Sequence, residues 1–202
     1  VNPPAMKVEG QRRDRETIFV IDNSGSMGGE SMDQAKKGML LALDRLAPTD
    51  EFNVIRFDDT MDQLFTAAVP ANAQNLARAK RFVGNLEANG GTEMLPALKA
   101  ALVDRSGEDK DEVRQIVFIT DGSIGNEELG RFLNELRAIL RAYPKVDVQL
   151  YACDANLHGP WAIDLDTESV PPLPGGGGTD FRPFFKHLKS NPPPPDAAIY
   201  LT

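Results

Sequence analysis

The stretch ETIFVI, ending at Ile21, is an almost unbroken apolar run. It gives way at once to DNSGSMGG, Asp22–Gly29. A strand that is apolar on both sides of its pleat has to be covered on both faces, as happens inside a mainly parallel sheet flanked by helices. Helical spacing then takes over from about Ser31, with Met32, Ala35, Met39, Leu43 and Leu46 on one face, and Pro48 as a stop. This pairing of a buried strand with an amphipathic helix excludes most all-α and all-β arrangements.

The alternation continues along the chain. EFNVIRF predicts a second strand and QLFTAAV a third. Leu76, Ala79, Val83 and Leu86 mark a helix, and ANGGTEM is a glycine turn before another helix carrying Leu95, Leu98 and Leu102. VRQIVFIT is a fourth strand. Leu129, Phe132, Leu133, Leu136 and Leu140 mark a helix, and VDVQLYA is a fifth strand. Such a sequence predicts an α/β fold, a doubly wound and mainly parallel sheet with helices on both faces. In these sheets ligands sit beyond the carboxyl ends of the strands. From Asp154 to Thr179 no periodicity is evident, which predicts a long functional or mobile loop. FRPFFKHL reads as a short helix, NPPPPD as a stiff linker and AAIYLT as a sixth strand. Residues 1–15 read as an extended polar segment, and 16–202 as a single domain.

Composition narrows the function. The net charge of −8 disfavours nucleic acid, whose phosphates require a basic face. No apolar run approaches the ~20 residues that cross a bilayer, so no membrane insertion is expected. One cysteine, Cys153, permits no internal disulfide and reads as a small core residue. His158 and His187 are too far apart for a local metal motif. Trp161 reads equally as a loop anchor or a contact residue. No glycine-rich nucleotide fingerprint follows a strand, and DGSIG lacks the first glycine of a nucleophile elbow.

Three segments gather oxygen donors at strand ends or in neighbouring loops: Asp22, Ser24 and Ser26 in DNSGS, Thr92 in GGTEM, and Asp121 in TDG. Hard oxygen ligands of this kind suit Mg²⁺ or Mn²⁺, with Ca²⁺ as a further candidate. Ser24 and Ser26 are two apart in a turn, so both hydroxyls can point the same way.

These segments resemble the von Willebrand factor A (VWA) domain, whose metal-ion-dependent adhesion site (MIDAS) uses Asp-x-Ser-x-Ser, a threonine and an aspartate from three loops. FVIDNSGSM and FITDGSIGNEE are similar to the A domains of inter-alpha-trypsin-inhibitor heavy-chain-like proteins. The resemblance implies a six-stranded Rossmann-like sheet in the order 3-2-1-4-5-6, with Asp22, Ser24, Ser26, Thr92 and Asp121 as metal residues. It also implies a non-enzymatic, monomeric adhesion module in an extracytoplasmic setting. If the aspartates act mainly through water, neutral hydroxyls are the direct ligands. The ion then stays electrophilic, and an acidic side chain of a protein partner fills its open position. A metal-assisted hydrolase and a scaffold with a vestigial metal site are the alternatives.

The part of the chain after about residue 124 resembles a second, metallopeptidase-associated A-domain-like family, in which the threonine of GGGGTDF, here Thr179, belongs to the metal site. The chain therefore reads as a chimera with a seam near 121–128. Because TIFVI and VDVQLYA should occupy the two edges of VRQIVFIT, AAIYLT is expected at the outer edge beside VDVQLYA, and Thr179 far from Ser24.

Overall fold

The computed structural model describes residues 15–102, 113–119, seven helical positions between 130 and 141, 148–153, 157–163, Pro183 and 197–201. The first strand, β1, spans Arg15–Asp22 and lies in the middle of the sheet. It runs parallel to β2 (Glu51–Phe57) on one side and to β5 (Val113–Ile119) on the other. Phe19 pairs with Val54 and Val117, and Val20 with Ile55 and Phe118. All six of these side chains are buried, as the continuous apolar runs require.

Strand alternation splits the core into two layers. Phe19 and Ile21 of β1 share one layer with Phe52, Val54, Val117 and Ile119, covered by α1 (Glu30–Leu43) and α2 (Ala73–Gly84) through Met32, Ala35, Met39, Leu43, Ala79 and Val83. Ile18, Val20, Ile55, Phe57, Ile116 and Phe118 face the opposite way. That side holds α3 (Met94–Leu102), which packs on β1 and β2. Helices therefore lie on both faces of a mainly parallel α/β sheet, as the sequence predicts. The α2 helix starts at Asn72, whose side-chain oxygen accepts the Asn75 amide at 2.9 Å. That contact satisfies one of the amides a helix start leaves open.

Several details differ from the sequence reading. The α3 face is turned: Met94, Ala97, Leu98 and Ala101 are buried, whereas Leu95 is exposed. QLFTAAV is not one strand. Two short strands, β3 (Met61–Gln63) and β4 (Val69–Pro70), pair antiparallel with β2. The aperiodic segment contains a further strand, β7 (Leu157–Ile163), antiparallel to β6 (Val148–Cys153). Trp161 lies in β7 opposite Leu150, and His158 opposite Ala152.

The largest correction concerns the last strand. Among the described residues the path through the sheet is β3-β2-β1-β5-β8-β6-β7, with β4 on β2, in place of the expected order 3-2-1-4-5-6. AAIYLT forms β8 (Ala197–Leu201) between β5 and β6, parallel to both, with Ile199 paired to Phe118 and Leu150. It is not at the outer edge. The expectation failed at its premise that β6 pairs directly with β5, since consecutive strands are neighbours only about two-thirds of the time. Thr179 and most of FRPFFKHL lie outside the described residues.

Candidate metal centre

Asp22 is the last residue of β1 and pairs with Phe57, the last residue of β2. Both strands therefore deliver their loops to the same edge of the sheet. Asp22 and Ser24 are each 1% exposed. One Asp22 carboxylate oxygen, Oδ1, accepts the Ser24 amide at 2.8 Å. The chain then makes a short 3₁₀ turn at Gly25–Met27 before α1. This turn brings Ser24 Oγ within 3.1 Å of Ser26 Oγ, with Ser26 exposed at the top.

A second turn locks onto the first. The Gly25 amide donates to the Gly90 carbonyl at 3.0 Å, and the Asn89 amide donates to the Asn23 carbonyl at 2.8 Å. A Cβ on Gly25 would sit 3.2 Å from the Gly90 oxygen, so a larger residue there would push the loops apart. Gly90 itself has φ +70°, a left-handed conformation that favours glycine. Thr92, half-buried, follows two residues after Gly90, in the loop that this interlock holds against the serine turn.

A third loop, between β2 and β3, supports the other two. The Asn23 side-chain amide donates to Asp58 Oδ2 at 2.9 Å and to the Glu87 carbonyl at 3.2 Å. Asp58 also accepts from the Arg56 guanidinium at 2.8 Å, and from the amide and hydroxyl of Thr60. Burial pushes the Asp58 carboxyl up. The bonds from Thr60 and Asn23 and the Arg56 charge outweigh burial and hold it below its ordinary value. Asp59 Oδ1 accepts the Gly91 amide at 2.6 Å, and the Asp58 carbonyl accepts the Glu93 amide at 2.8 Å.

The donor set fits a small divalent cation. Two ligands at right angles on an octahedral ion with bonds of 2.0–2.1 Å are about 2.9 Å apart. The Ser24 and Ser26 hydroxyl oxygens lie close to that separation, at 3.1 Å. Both are neutral, and the Asp22 carboxylate at the end of β1 is buried and accepts the Ser24 amide. Among the described residues no three His, Cys, Asp or Glu side chains form a metal-holding group. The structure therefore brings together Asp22, Ser24 and Ser26 and docks the Thr92 loop on them. Asp121 lies outside the described residues, two positions beyond Ile119, the end of β5.

Sequence reasoning missed Asn23, Asp58 and Asp59. One signal was available: DDT directly follows β2, at the carboxyl edge where this fold class places its sites.

Human inter-alpha-trypsin inhibitor heavy chain H4 is 36% identical over 114 residues, 54% of this chain and 12% of its own length. The chain thus spans only a small part of that relative. A von Willebrand factor type A protein from Catenulispora acidiphila is 28% identical, with a TM-score of 0.51, covering 60% of this chain and 30% of its own. Proximal thread matrix protein 1 from the mussel byssus, in a structure with a zinc-occupied MIDAS motif, shares the fold at 20% identity. Its TM-score is 0.50, and the match covers 69% of this chain and 36% of that one. Domains of this kind are protein-interaction and adhesion modules that typically hold a divalent metal. The family described as the von Willebrand factor type A domain matches residues 15–161, and the chain belongs to that family.

Proposed function

We propose that this chain is a divalent-metal-dependent protein-binding module whose partner supplies an acidic side chain to the metal, and that it is not an enzyme. The observation that carries the reading is the pair of neutral hydroxyls, Ser24 and Ser26, 3.1 Å apart in the turn that follows a buried aspartate. In this reading Ser24, Ser26 and Thr92 hold Mg²⁺, or Mn²⁺ or Ca²⁺ in its place, and Asp22 and Asp121 orient its waters. The ion supplies an electrophilic position that a carboxylate from another molecule can occupy. The protein's own part is to present hydroxyls in place of carboxylates, which leaves the bound charge unneutralised. The exposure of Ser26 keeps that side open to a partner. In this reading residues 16–202 act as one domain, which the place of β8 between β5 and β6 supports, and the domain is a monomer. The relative named above is consistent with an extracytoplasmic setting.

Titration calorimetry with MgCl₂ or MnCl₂ tests the reading. Ser26→Ala removes an exposed hydroxyl without disturbing the buried turn, and is expected to weaken binding at least tenfold. No binding by the unaltered chain, or equal binding by Ser26→Ala, sinks the proposal. The partner's role is read separately. Acetate added to the Mn²⁺-loaded protein should displace bound water and lower its proton relaxation enhancement. An unchanged signal removes the carboxylate from the mechanism.

A further inference from the structure

We infer that Asp59 is a positioning residue for Thr92: its carboxylate, together with the Asp58 carbonyl, clamps the threonine loop at the height of the serine hydroxyls. This rests on the metal-site reading above and adds a residue outside the five.

The two residues that flank Thr92 are both tied to the β2–β3 loop. On one side the Gly91 amide donates to Asp59 Oδ1 at 2.6 Å, and on the other the Glu93 amide donates to the Asp58 carbonyl at 2.8 Å. Thr92 therefore sits between two fixed points supplied by consecutive residues of another loop. The 2.6 Å bond has an ionised acceptor, and charge-assisted bonds of this kind are about twice as strong as neutral ones. The glycines make the approach feasible. A Cβ on Gly91 would lie 2.5 Å from Asp59 Oδ1, and a Cβ on Gly90 would also run into the Asp59 carboxylate. The loop itself contributes little rigidity, because glycines leave many conformations open. Asp59 is exposed, so core packing gives no reason for the contact. Asp58, by contrast, is fastened by Arg56, Thr60 and Asn23, and gives its neighbour a fixed base.

The charge of Asp59 offers a rival explanation, since any carboxylate near a cation helps to hold it. Asp59→Asn separates the two, because the amide keeps an oxygen for the Gly91 amide and loses the charge. Calorimetric Mg²⁺ affinity is measured for the unaltered chain, Asp59→Ala, Asp59→Asn, Gly91→Ala and the double variant Asp59→Ala/Gly91→Ala. A clamp predicts at least a tenfold loss for Asp59→Ala and a loss of threefold or less for Asp59→Asn. It predicts a loss for Gly91→Ala that shrinks once Asp59 is also alanine, since the clash is then gone. Equal losses in Asp59→Ala and Asp59→Asn, or unchanged affinity in Asp59→Ala, overturn it. Amide hydrogen exchange in EDTA reads the clamp without metal. Asp59→Ala should accelerate exchange at Gly91 and leave the amides of β1 and β2 unchanged. Unchanged exchange at Gly91 overturns the clamp, and accelerated exchange in a chain that binds no Mg²⁺ sustains the clamp while rejecting the metal reading.

Discussion

Asn23 offers the sharpest test of how the three loops are joined. It is 5% exposed, its side-chain nitrogen serves both Asp58 and the Glu87 carbonyl, and its side-chain oxygen is buried with no hydrogen-bond partner among the described residues. Asn23→Ala loses a bond to an ionised acceptor, roughly 1.5–3 kcal/mol, and a neutral bond, roughly 0.5–1.5 kcal/mol. It also removes the orphaned oxygen, which recovers roughly 1–3 kcal/mol. The balance is a net loss of about 1 kcal/mol, or a fall in melting temperature of ~2–4 °C for a chain of this length.

Asn23→Asp places a carboxylate where an amide met a carboxylate. Two such charges ~4 Å apart repel by about 4 kcal/mol at the effective dielectric of a site near the surface. The new group avoids this by taking up a proton, and then donates to Asp58 as the amide did. Protonating an ordinary Asp at pH 7 costs about 4 kcal/mol, and at pH 5 about 1.5 kcal/mol. The sign follows: a carboxyl whose folded pKa is raised costs stability above its unfolded value and recovers it as the pH falls. Urea unfolding in EDTA should therefore rank the unaltered chain above Asn23→Ala and that above Asn23→Asp at pH 7, with the gap between the two variants narrowing at pH 5. Equal stability of the two variants at pH 7 refutes the bond from the Asn23 nitrogen to an ionised Asp58. An Asn23→Ala variant that melts above the unaltered chain shows that the orphaned oxygen dominates.

Other perturbations have equally definite outcomes. Asp58, held below its ordinary value, contributes stability that is present above the unfolded pKa and lost as pH falls through the folded one. Urea unfolding in EDTA from pH 6 to 2 should show a shallower acid-side loss in Asp58→Asn than in the unaltered chain. Met39, fully buried between α1 and the sheet, should cost roughly 2–5 kcal/mol as Met39→Ala, a fall in melting temperature of at least ~4 °C. Leu41, 42% exposed on the same helix, should change stability by no more than ~0.5 kcal/mol as Leu41→Gln. Mg²⁺ at a hundred times its dissociation constant should stabilise the fold by about 2.7 kcal/mol, and an identical melting temperature in EDTA and in Mg²⁺ counts against the site.

The elements legible in the sequence were those whose burial leaves a periodic trace. β1, β2 and β5 are apolar on both faces, and α1 and α2 present large side chains at helical spacing. In α3 the trace misleads, because Ala97 and Ala101 are buried through close approach to the sheet and carry little hydrophobic signal, whereas Leu95 points outward. β7 was hidden by Gly159 and Pro160, residues that normally argue against a strand. The structure places β7 at the end of the strand path, and edge strands tolerate proline. No local pattern encodes which strand stands beside which. AAIYL is a strand in either position, and its insertion between β5 and β6 depends on the slot left by the β5–β6 crossover.

The same division runs through the site. In the proposed metal-site reading, Asp22, Ser24, Ser26 and Thr92 are readable because residues that face a cation must carry oxygen and small size wherever they fall, and these constraints show in composition. Among the described residues Asp58 and Asp59 meet the amides of Gly91 and Glu93, the Asn23 side chain, Arg56 and Thr60. An aspartate after a strand is equally compatible with an ordinary turn. Its role follows only from a contact 32 positions away, between Asp59 and Gly91. Five donors without these supports would form the same motif with a threonine loop free to move. In the proposed reading, the preorganisation on which tight metal binding depends therefore lies in the residues that the motif omits.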